Sequence, residues 1–116
     1  MQEREMLELA AKAAGIVVND WHQDDFGWVA WIDPNDKHWC PIEDDGDAFR
    51  LAVKLKMEII PSYVPRDPDR QSIMARIMGK RVYAVVPMQD DSMRASATRL
   101  AIVRAAAEIG KQMEVK

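Results

Sequence analysis

At 116 residues with 48% apolar content, the chain suits one domain that buries a core without metal or disulfide staples. A single cysteine, Cys40, excludes an intramolecular disulfide and a cysteine-rich zinc module, and it fits a reducing compartment. The net charge of -3 hides an asymmetry, because residues 1–58 are acidic overall and residues 59–116 are basic, yet a pI near 5.3 is far from that of a nucleic-acid binder.

Glu3 to Ala14 places Met6, Leu7, Ala10, Ala13 and Ala14 at helical spacing and ends at Gly15, the residue best suited to a left-handed cap. Ile16 to Val18 and Phe26 to Ile32 read as strands. The polar run between them, NDWHQDD, reads as an exposed connection, and Asp33-Pro34-Asn35-Asp36 as a turn. From Asp47 to Leu55, the residues Ala48, Leu51, Ala52 and Leu55 repeat at helical intervals, with Arg50 and Lys54 on the other side. Glu58 to Val64 reads as an edge or bulged strand, because Pro61 cannot donate to a ladder, and PRDPDR reads as a loop. QSIMARIM fits a helix or a strand. Arg81 to Val86 is a strand stopped at Pro87, and Asp90, Asp91 or Ser92 can cap a last helix reaching about Met113. No run is long and apolar enough to span a bilayer, and the acidic start MQEREMLELAAKAAG is unlike an export signal.

Pro41 to Leu55, PIEDDGDAFRLAVKL, carries four acids around Gly46. A calcium loop with Gly46 as its sixth residue would put Pro41 and Ala52 at the end ligand positions, where neither offers a side-chain oxygen. The acids fit a helix start better: Asp44 caps free amides, while Asp45 and Asp47 face the positive end of the helix dipole. Those carboxylates would also repel a phosphate. His38 and Cys40 supply too few soft ligands for zinc and no readable nucleophile geometry.

All four tryptophans, Trp21, Trp28, Trp31 and Trp39, fall in one window. On a strand, Phe26, Trp28 and Ala30 share one face, and Val29 and Trp31 the other. The strand tryptophans are expected in the core. Trp21 and Trp39, set in polar segments, are the candidates for an interaction surface together with Asp44, Asp45 and Asp47.

Three segments resemble the phage ABA sandwich domain family: ELAAKAAGI; Trp39-Cys40-Pro41-Ile42 followed by DDGDAFRLAVKL; and AIVRAAAEIG from Ala101 to Gly110. Cys40 stands where that family usually has asparagine, and Ile42 and Phe49 where it has leucine. The resemblance implies a small phage or prophage protein with an α/β/α sandwich, and it brings no activity, cofactor or catalytic residue with it. Together with the element order, it leads to an α+β fold of three helices and a small mixed or antiparallel sheet of about four strands.

The expected role is binding a host or phage protein in the bacterial cytoplasm, without cofactor, catalytic residue or metal. Met- and Ala-rich helices leave room for a homodimer. The alternatives are a small metal-dependent hydrolase using His38, Cys40 and the Glu43 to Asp47 acids, and a nucleic-acid binder using Arg94, Arg99, Arg104 and Lys111. Nucleic acid is disfavoured by the acids around the tryptophans.

Overall fold

The computed structural model describes residues 2–25, 27–63, 71–77, 79–88 and 90–114. Phe26, Val64, the PRDPDR loop and Met78, all read from the sequence above, lie outside them. The chain order is α1 (Glu3–Ala14), β1 (Val18–Asp24), β2 (Gly27–Ile32), β3 (Lys37–Trp39), α2 (Asp45–Lys54), β4 (Met57–Tyr63), β5 (Gln71–Ile77), β6 (Val82–Met88), a single 3-10 turn (Asp91–Met93) and α3 (Arg94–Glu114). The fold is α+β, with three α-helices and two three-stranded antiparallel sheets among the described residues. The sequence reading of about four strands in one sheet is corrected by the hydrogen-bonded order, which is β1-β2-β3 in one sheet and β4-β5-β6 in the other.

The helices start and stop where local chemistry dictates. Gly15 closes α1 in the left-handed region at φ 70°, and its N–H reaches the carbonyl of Lys12. The carboxylate of Asp90 accepts from the backbone N–H and hydroxyl of Ser92 ahead of α3, and these bonds hold its carboxyl below the usual range.

The polar run NDWHQDD is not a connection: all but its last residue lies in β1, which pairs along β2 from Val18 with Ile32 to Asp24 with Gly27. It is an edge strand with five of its seven side chains exposed, so its sequence lacks an apolar alternation. In the turn from Asp33 to Asp36, the Asn19 amide donates to the Asp33 and Asp36 carboxylates, at 2.8 and 2.9 Å. QSIMARI is a strand, β5, whose Ile73, Ala75 and Ile77 are buried and pair with Val86, Ala84 and Val82. Pro87 does not stop β6 but lies within it. The position is tolerated because β6, like β4 with its Pro61, is a sheet edge.

Helix α3 is the centre of the fold, packing against α1, α2 and all three strands of the second sheet. Ala101, Val103, Ala105 and Ala106 on it are fully buried. Its small residues let α1 come close: a β-carbon on Gly110 would lie 2.0 Å from the carbonyl oxygen of Leu9. The main core joins Leu7 and Ala10 of α1, Ala30 and Trp39 of the first sheet, Leu51 of α2 and Ile73 of the second sheet to this helix.

Candidate functional site

The acids of PIEDDGDAFRLAVKL build the start of α2. Asp44 is the N-cap, accepting at 2.8 Å from the backbone N–H of Asp47. The Asp47 side chain turns inward, only 8% exposed, and accepts from the Cys40 N–H at 2.9 Å and from Arg50 at 2.7 Å. A single carboxylate thus ties the exit of β3 to the first turn of α2. Asp45 pairs with Arg99 of α3 at 2.6 Å, and the Arg99 Nε donates to the Ile42 carbonyl at 2.7 Å. These charges clamp α2 onto α3.

Asp24, His38, Cys40, Glu43 and Asp47 border a shallow hollow of about 350 Å³. Its chemistry is muted. Burial raises the Cys40 thiol above its ordinary value, which favours the protonated form, and its Sγ–H points to the Trp28 carbonyl at 3.4 Å. His38 stacks edge-on against Trp31, with ring centroids 4.1 Å apart. Among the described residues, no group of three or more His, Cys, Asp or Glu side chains is placed to hold a metal ion.

The expected aromatic surface is corrected at Trp39, which is 3% exposed. Trp39 pairs with Ala30, and Ala30 with Trp21, so its ring falls on the inner face of the first sheet despite the polar residues before it. Asp47 is likewise no surface group. Trp21 is half-buried, and the Arg4 guanidinium lies 5.7 Å from its ring centroid and 5.2 Å from that of Trp28. Asp44 and Asp45 remain exposed, one as a cap and one in an ion pair. The five candidates therefore do not come together as one binding face.

An exposed apolar pair lies elsewhere on α2. Phe49 is 67% exposed and Val53 60% exposed, one helical turn apart. They border a groove of about 490 Å³ between α2, α3 and β4, lined also by Ala48, Ala52, Ile59 and Ile102. Lys56 stands at its edge, and the Asp45–Arg99 pair crosses one side. The helical spacing of Ala48, Leu51, Ala52 and Leu55 predicts one inward stripe on α2. The overlooked signal was a second apolar pair, Phe49 and Val53, at i, i+4 beside that stripe.

The four cations proposed as a nucleic-acid surface do not form a stripe. Arg94 bonds Asp91 and Gln71, and Arg99 is folded onto Asp45 and Ile42. At about 100° per residue, Arg104 and Lys111 share one side of α3 and Arg99 faces another.

Comparison with protein-family models, curated proteins and solved structures finds no match to this chain. No helix among the described residues is long and apolar enough to cross a membrane.

Proposed function

We propose that the chain is a binding protein, an accessory factor of phage or prophage type, that takes apolar side chains of a host or phage protein into the groove between α2, α3 and β4. The observation that carries this reading is the exposure of Phe49 and Val53 at the groove's lip. A phenylalanine held two-thirds in water contributes little to folding, whereas desolvating it against a partner gains about 25 cal/mol per Å² buried. An aromatic anchor beside a branched aliphatic on a rigid helix, with charges at the margin, is the composition of an interface core with a polar rim.

The resemblance to the phage ABA sandwich domain family belongs to the same reading, as does cytoplasmic action. The α/β/α layering it implies has partial support, since α3 covers one face of the second sheet. The hydrolase alternative is weakened by a buried thiol favouring its protonated form and by acids spent on helix capping.

The test is a Phe49→Ser/Val53→Ser variant. Binding to a partner protein, identified by photo-crosslinking from position 49 of the parent chain, should fall while thermal stability holds within about 0.5 kcal/mol per site. Unchanged binding would remove the proposal.

A further inference from the structure

The second sheet leaves β6 as an unpaired edge among the described residues, and beside it runs a separate groove of about 620 Å³. Five consecutive residues, Arg81 to Val85, line this groove. Successive strand residues point to opposite faces, so a groove touching all five follows the strand's edge and does not sit on one face. Its other wall is α3, through Arg104, Ala107, Glu108 and Gln112, on the side of the helix opposite the residues that line the α2 groove.

Along an edge strand, every second residue turns its N–H and C=O away from the sheet, here towards the groove. Pro87 removes a donor only near the far end of β6. The wall carries two guanidinium groups, Arg81 and Arg104, both exposed and neither in a hydrogen bond or ion pair with a described residue. The opposing charge within the groove is Glu108. By contrast, Arg4, Arg50, Arg76, Arg94 and Arg99 each have a carboxylate partner. Two unpaired arginines beside an open strand edge are complementary to carboxylates on an extended chain.

We propose that β6 and α3 form a second binding site, which takes an extended acidic peptide of a partner protein by strand addition. The peptide backbone pairs with β6 from about Val82 to Val86, and its carboxylates meet Arg81 and Arg104. Peptide side chains on one face lie beside the half-buried Ala84, and those on the other face lie beside the exposed Tyr83 and Val85. Because α3 separates this groove from the one at Phe49, the two sites would let one small domain join two partners.

The experiment selects a randomised ten-residue peptide library on the full chain and titrates the leading synthetic peptide against isotope-labelled protein. The expected peptides carry Asp or Glu at alternating positions, and their binding shifts the amide resonances of Val82 to Val86 and slows their exchange. Arg104→Gln, at an exposed helix position, should weaken binding on the order of tenfold. N-methylation of alternate peptide amides should abolish it. The proposal is overturned if no peptide is selected, if the selected peptides lack acidic residues, or if they perturb only the Phe49 groove. Tight binding by the N-methylated peptide would overturn strand addition itself. The Phe49→Ser/Val53→Ser variant should bind the peptide unchanged, which separates this site from the first.

Discussion

The carbonyl oxygen of Leu9 occupies the space that a side chain on Gly110 would need, 2.0 Å from the point of its β-carbon. The obstacle is backbone of the neighbouring helix, which no rotamer change can move aside. Gly110→Ala must therefore separate α1 from α3, the two helices whose contact fills the centre of the core. Its expected cost is about 3 kcal/mol, at the upper end for overpacking, even though alanine is the better helix former. Urea denaturation checks this, and a midpoint equal to that of the parent protein would show that the helices are not so closely packed.

A second outcome concerns the capping acids. Asp47→Ala removes the acceptor of the buried Cys40 N–H and the partner of Arg50, for an expected loss of about 1–3 kcal/mol. Asp44→Ala removes the N-cap and should cost about 1 kcal/mol. Because Asp44 accepts from the Asp47 backbone, the two losses share one helix turn and should not add in the double variant. The measurement is a double-mutant cycle by thermal denaturation.

Cys40 gives a chemical and a pH readout. The folded state holds its thiol proton more tightly than the unfolded chain does, chiefly because burial penalises the thiolate. Its linked stability is therefore complete below the ordinary thiol range and is lost as pH rises through the folded value. Iodoacetamide at neutral pH should modify native Cys40 on the order of 100-fold more slowly than the denatured protein. Equal rates would restore Cys40 as a candidate nucleophile.

Arg4 supplies a spectroscopic check. Its guanidinium lies over both Trp21 and Trp28 while its Nε pairs with Glu8. Arg4→Ala should change tryptophan emission and cost about 0.5–1 kcal/mol, the range for a partly exposed cation on an aromatic face. Unchanged emission and stability would show that the cation does not pack on the rings.

The features legible in the sequence are those fixed by neighbours in the chain. Gly15 closes α1, Asp44 caps α2 and Asp90 opens the last helical segment because each interaction spans only a few residues. What was lost depends on pairing across the fold. The run VNDWHQD becomes a strand only because β2 offers its edge, and nothing within those seven residues announces it. QSIMARI alternates Ile73, Ala75 and Ile77 with more polar neighbours, but its Met and Arg also suit a helix, so the choice was made by β4 and β6 on either side. Trp39 looked exposed beside Lys37 and His38, yet its partner Ala30 carries it into the core. The exposed apolar pair on α2 was hidden for the converse reason: Phe49 and Val53 resemble core residues until the packing of α2 shows which side faces in.

A photo-crosslinking amino acid at position 49, introduced in living cells that produce the chain, reports whether a protein docks in the groove beside Phe49. A control at Val17, 57% exposed and lining a separate hollow beside Arg50 and Lys54, reports indiscriminate capture. The expected result is one discrete adduct from position 49 and none from position 17, with Val53→Asp abolishing the adduct while the protein stays folded, at a cost of about 1 kcal/mol or less for an acid in the last turn of α2. Adducts of equal pattern from both positions, or an adduct at position 49 that survives Val53→Asp, would show that the groove is not a specific protein-binding surface.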